Sequence, residues 1–198
     1  MKQTFVALRY FVSSIAISMA FALVCFAQQT SGGQKPADPP KEYPNSRIDG
    51  LVREWTRARD YTREYIDAMP EDGINFKPTP DIRSFAEQML HLTNANYLFA
   101  SRIFGATNPM QGKNLEKDDN LKNKAALTKA VMDSYDFMIN TIKAQSDAKL
   151  DDRMVSNGMN RPRLAILAAA FEHQTHHRGQ TTIYLRLKGV TPPAEKLF

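Results

Sequence analysis

The chain has 198 residues, 42% of them hydrophobic and 24% charged, with a formal net charge of +5. That is enough chain for one domain with a sizeable core, in the proportions of an ordinary globular protein rather than a disordered or fibrous one. No basic run or stripe is present, so nucleic acid is not among the expected partners.

The first ten residues carry Lys2 and Arg9 without an acidic residue, and Phe11–Ala27 is an apolar run ending in small residues. This is the form of a secretory signal peptide, residues 1–27, cleaved after Ala27, and it predicts export to the periplasm or the extracellular space. The alternative is an uncleaved N-terminal segment that tethers the protein to a membrane, since the run approaches the ~20 apolar residues of a span. Lipoprotein processing at Cys25 is disfavoured by Val24 before it. Cleavage takes away the only cysteine and lowers the charge from +5 to about +3, because Lys2 and Arg9 leave with the leader. The exported chain then has no disulfide and no thiol nucleophile. Residues 28–45 are rich in Gly, Pro and polar residues without periodicity and read as a flexible tether. The folded domain is expected over 46–198.

Ile48, Leu51, Trp55, Ala58, Thr62, Tyr65 and Met69 recur at steps of three and four, predicting an amphipathic helix that Pro70 ends. Trp55 on such a stripe is read as core rather than as a cofactor-stacking residue. Pro70, Gly73, Pro78 and Pro80 make residues 70–83 a loop. Ser84 and Glu87 have the spacing of a capping box, and the helix they start is expected to reach Phe104, with Gly105 as its C-terminal stop. His91 lies two turns into it and has apolar Ala95 and Leu98 at i+4 and i+7, so it is predicted to face inward. A polar loop follows over 106–123. Leu127, Val131, Tyr135, Met138 and Ile142 mark a third helix, and residues 146–160 a connection with a turn at Asn157-Gly158. Pro162 suits the first turn of a fourth helix that runs to about Lys188, with Gly189 at its end and Pro192-Pro193 preventing resumption. Four such helices, no strand alternation and no repeat predict an all-α protein, a four-helix bundle.

Three of the four histidines fall within Phe171–Gln180. His173 and His177 sit one helical turn apart, where Cβ atoms are about 5–6 Å from each other, close enough to reach one metal ion. They continue the face of Ile166 and Ala170, and burying two imidazoles side by side without partners costs several kcal/mol. A metal that accepts both lone pairs resolves this, with His91 as the third donor from another helix. Two solvated side chains, or a core histidine bonded to a carbonyl, satisfy the same spacing. His176 is offset by about 100° and is read as solvent-facing or supporting. Gln174 follows His173, so the glutamate of the zinc-protease H-E-x-x-H signature is missing and peptidase chemistry is disfavoured. Gly179 within a helix costs ~1 kcal/mol relative to Ala and suggests close approach by a neighbouring helix or subunit.

His91 in SFAEQMLHL, then His173-x-x-x-His177-Arg-Gly-Gln180, then LRLKGVTPP, resembles the DinB/YfiT family of four-helix metalloproteins, and FKPTPDIRSFAEQMLHLTNANYLFASRIFG is similar to that family's second-helix region. The match covers roughly residues 48–195. The resemblance implies a bundle whose divalent metal (nickel, zinc or iron) is held by His91, His173 and His177, and a homodimer. The wider superfamily includes thiol S-transferases and a thiol-dependent isomerase. Three imidazoles leave open coordination positions, as in catalytic sites, while Asn94 and Gln180 are candidates to bond a ligand or the histidines. The resulting expectation is an exported metal-dependent enzyme, thiol transferase-like or a hydrolase using metal-bound water, acting on a small-molecule substrate. The alternative is a non-catalytic metal- or ligand-binding bundle. Specificity is expected to lie in loops 70–83, 105–123 and 146–160.

Overall fold

The computed structural model describes residues 42–197, so the leader and most of the tether lie outside the described residues. Four α-helices make up the domain: α1 (Arg47–Ala68), α2 (Phe85–Phe104), α3 (Lys124–Lys143) and α4 (Arg163–Leu187). α1 and α2 each pack against both α3 and α4. This is the four-helix bundle expected from the periodicity, and none of its described helices is long and apolar enough to cross a membrane.

The helix ends follow local chemistry. The Ser46 side chain caps the start of α1, and Met69, which follows its last residue, precedes Pro70. Both halves of the capping box form on α2: Ser84 Oγ accepts from Glu87 N at 3.2 Å, and Glu87 Oε2 accepts from Ser84 N at 2.8 Å. Gly105 then takes φ 77°, a left-handed conformation open to glycine without penalty. Asn123 caps α3 through Ala126 N. Pro162 lies one residue earlier than expected, immediately before α4 rather than in its first turn.

The core is one continuous cluster. The periodic residues Trp55, Tyr65, Met69, Phe85, Leu92, Ile103, Leu127, Val131, Tyr135, Met138, Ile142, Ile166 and Ala170 are all buried within it. Trp55 is fully buried, with Phe171 edge-on at 5.4 Å, and is a core residue as expected. Leu98 departs from the expectation: it is 41% exposed, because α2 buries the Phe85, Met89, Leu92, Asn96 side and turns the Leu98 side to solvent.

Two connections are more structured than their sequences suggest. Arg153–Ser156 (β1) and Met159–Pro162 (β2) form an antiparallel hairpin where only a turn was expected. Strands of four residues are too short for alternation to stand out. The determinant is the turn, where Asn157 at φ 50° and Gly158 at φ 74° give the positive-φ pair that matches strand twist. The 106–123 loop contains two 3₁₀ turns, Leu115–Lys117 and Asp119–Leu121, headed by the side chains of Asn114 and Asp118. Leu115 is buried in the core, and this anchors Glu116 beside α2.

A clasp joins the start of α1 to the connection between α3 and α4. Asp147 accepts hydrogen bonds from Arg47 N (3.1 Å), Ile48 N (2.9 Å) and Ser46 Oγ (3.2 Å) at the start of α1. Those backbone bonds hold its carboxyl below the usual carboxylate range. The Arg47 guanidinium reaches Asp151 with two contacts of 2.8 Å.

Candidate metal centre

Direct packing of α2 on α4 brings His91 against the His173/His177 turn. One nitrogen from each ring lies within 4.8 Å of the others. Ring centroids are 4.4 Å apart for His91–His177 and for His173–His177, and 5.3 Å apart for His91–His173. The expected inward orientation of His91 holds in part, for its side chain keeps 28% exposure. Burial, reinforced by the neighbouring imidazoles, pushes the His177 pKa down to about 3 and lowers that of His173. Both rings are therefore neutral at physiological pH, with lone pairs available as metal ligands require.

The surrounding hydrogen bonds aim these lone pairs. His177 Nδ1 donates to Gln88 Oε1 at 2.9 Å, and His91 Nδ1 donates to Glu116 Oε1 at 2.7 Å, so Nε2 of each ring is left as an acceptor. Fixing one ring nitrogen by an amide or carboxylate while the other faces a cation is the usual support of a metal-bound histidine. His173 differs, since its Nδ1 is buried without a hydrogen-bond partner among the described residues. A buried ring nitrogen without a partner carries a desolvation cost, and it belongs to a residue grouped with two other imidazoles, one nitrogen of each ring lying within 4.8 Å of the others. The donor set therefore fits a divalent ion of the later first transition row, for which imidazole is a suitable ligand.

The supports continue into a single circuit. Gln88 Nε2 donates to the Tyr184 hydroxyl at 3.4 Å, which donates to the main-chain oxygen of Arg83 at 2.7 Å. The Arg83 side chain in turn donates through Nε to Glu116 Oε2 at 2.7 Å. Burial alone would raise the Glu116 carboxyl, but the bonds from Arg83 and His91 outweigh it and keep the group ionised below its usual range. Sequence reasoning did not single out Gln88, Glu116, Arg83 or Tyr184. Gln88 was accessible from helical spacing, being three residues before His91. Glu116 was not, because it reaches His91 across 25 residues of chain through a loop without periodicity.

The other candidates fall outside the ligand group. His176 is exposed, and its Nε2 accepts from the Gln180 amide at 2.8 Å, so these two residues pair with each other at the rim. Asn94 is half-exposed and does not line the cleft beside the triad. The expected close approach at Gly179 is not found within the chain: the residue is exposed, with open space where a Cβ would stand. Gln174 points into the core, where its Oε1 accepts from Tyr135 Oη (2.8 Å) and Arg178 Nη1 (2.9 Å). Glu116, Gln88 and His177 face a cleft of about 690 Å³ whose rim carries Lys77, His176 and Gln180.

Residues 44–197 match the sequence pattern of the DinB family. The chain belongs to that family. Similar chains include the YrdA protein of Bacillus subtilis, 34% identical over 151 residues, which span 74% of this chain and 86% of YrdA. The YjoA protein of the same organism is 25% identical over 142 residues, or 71% of this chain and 90% of YjoA. Solved DinB-like folds agree. The crystal structure of a DinB-like protein from Bacillus cereus superposes with a TM-score of 0.64 at 18% identity, covering 75% of this chain and 97% of that one. The YjoA crystal structure gives 0.56 at 24% identity, covering 75% and 95%.

Proposed function

We propose that this DinB-family protein is an exported metal-dependent enzyme whose divalent ion (nickel, zinc or iron) is held by His91, His173 and His177. The observation that carries this reading is the convergence of three imidazoles, one nitrogen of each within 4.8 Å of the others, with two of the rings locked by Glu116 and Gln88 and the third holding a buried Nδ1 without a partner among the described residues. Three protein donors leave coordination positions open. When bound, such a cation supplies Lewis acidity, lowering the pKa of a water or thiol and polarising a substrate, which suits hydrolysis or thiol transfer. The chain's own residues orient and hold. Gln88 and Glu116 fix the imidazoles, ionised Glu116 compensates part of the cation's charge, and the His176–Gln180 pair at the rim offers hydrogen bonds to an incoming small molecule. Export rests on the leader sequence, and a homodimer on the family resemblance.

Metal content of protein purified without a histidine-rich tag tests the site. Near-stoichiometric metal in the native protein and its loss in His91→Ala and His177→Ala is the expected result, and undiminished metal in both variants would falsify the assignment. A cobalt-substituted sample separates the enzyme from a non-catalytic binding bundle. The enzyme requires a spectrum that responds to added small ligands, and the bundle gives one that does not.

A further inference from the structure

The cleft beside the triad adjoins a second hollow of about 290 Å³ with a different lining. Ile82, Gln88 and Gln180 line both, so the two spaces are neighbours. The second is walled by Pro78, Ile183 and Tyr184 and is predominantly apolar, whereas the first is predominantly polar. Ile82 and Ile183 are 40% and 56% exposed, on the loop before α2 and on α4 respectively. These are large apolar side chains held open to solvent, next to a polar site. Their spacing is fixed rather than incidental, because the Tyr184 hydroxyl bonds the main-chain oxygen of Arg83 at 2.7 Å. That bond pins the residue after Ile82 to the helix turn that carries Ile183.

We infer that the shelf formed by Pro78, Ile82 and Ile183 receives the hydrocarbon arm of an amphipathic small molecule whose polar head enters the triad cleft. This deepens the metal-dependent reading and rests on it. The cations around the head are already paired, Arg83 with Glu116 at 2.7 Å and Lys77 with Glu87 at 3.0 Å, and Asp81 adds a further carboxylate to the lining. The head is accordingly a compact group that binds metal and accepts or donates hydrogen bonds, not a multiply charged one such as a phosphate. An arm of several carbons running along Ile82 and Ile183 supplies apolar burial that a free head lacks.

Titration of the cobalt-loaded protein with acetohydroxamate and its straight-chain homologues up to octanohydroxamate, read by visible absorbance, tests this. Affinity should rise about two- to fourfold per added methylene, the upper figure being that of complete burial. Ile183→Ser should remove most of that rise and leave acetohydroxamate affinity unchanged. A spectrum unresponsive to acetohydroxamate sinks the open metal site and the shelf with it. A response with affinity flat along the series, or a rise untouched by Ile183→Ser, overturns the shelf alone and leaves the metal site standing.

Discussion

α4 carries two polar clusters one residue out of step, and they resolve the same physical problem in opposite ways. His173 and His177 face α2, while Gln174 and Arg178 face α1 and α3. Arg178 is buried, yet among the described residues no carboxylate pairs with it. Its Nη1 donates to Gln174 Oε1 at 2.9 Å and lies 3.5 Å from both Ala58 O and Thr62 Oγ1, and the guanidinium sits 4.6 Å from the Tyr61 ring centroid. Tyr135 completes the group, with Thr62 Oγ1 at 2.9 Å and a hydroxyl whose pKa burial pushes up to about 12. Every member finds its partner within the protein. The histidine cluster does not: among the described residues His173 Nδ1 has none, and Nε2 of His91 and of His177 makes no hydrogen bond. Buried polar groups that are satisfied internally hold a fold together, and those left short await something from outside.

Breaking each cluster should therefore give different failures. The largest effect is expected at the histidines, where His177→Ala should abolish metal retention together with the thermal stabilisation that metal gives. At a thousandfold excess over Kd that stabilisation is about 4 kcal/mol, seen as a rise in Tm absent from the variant. Next comes Arg178→Ala, which strands Gln174 and opens a hole beside Tyr61. It should destabilise by about 2 to 4 kcal/mol in denaturant titration while the surviving folded protein binds metal normally. Metal loss there at unchanged stability would merge the two clusters into one. Glu116→Gln sharpens the comparison further, because it weakens the hold on His91 without removing a ligand. Metal affinity should fall about 10- to 100-fold by competition with a chelator, with little change in apo-protein stability.

The smallest effect belongs to the clasp, remote from both clusters. Asp147 has a lowered pKa in the folded chain, so the unfolded chain binds more protons as pH drops. Its contribution is complete above the unfolded pKa near 3.9 and is lost as pH falls through the folded value. Asp147→Ala should therefore lower Tm at neutral pH, and its Tm should converge with that of the parent in strong acid. A constant gap at all pH values would mean that the carboxylate charge is irrelevant.

The helices were legible because each one states its period and its ends locally: Ser84 and Glu87 three apart, Gly105 after Phe104, Leu127 to Ile142 in steps of three and four. The His173/His177 pair was legible for the same reason. His91 was legible as the third donor from its inward position on its own helix, strengthened by the family resemblance, although nothing local places α2 beside that turn of α4. The partners of the triad were not legible. Glu116 is delivered by a loop whose path depends on burying Leu115, and Tyr184 reads as one more apolar position on a stripe. Gly179 marks no close approach by another helix of this chain, where its surroundings are open, which leaves the neighbouring subunit of that expectation as a proposal.

The bond from Tyr184 to residue 83 is made to a main-chain oxygen. Such a tether does not depend on which side chain stands there, nor on the residues before it. The segment from Pro78 to Ile82 can then be exchanged for other sequences, by design or by descent, while the imidazoles stay in register. A scaffold of this kind can change what it accepts and keep the chemistry that it performs.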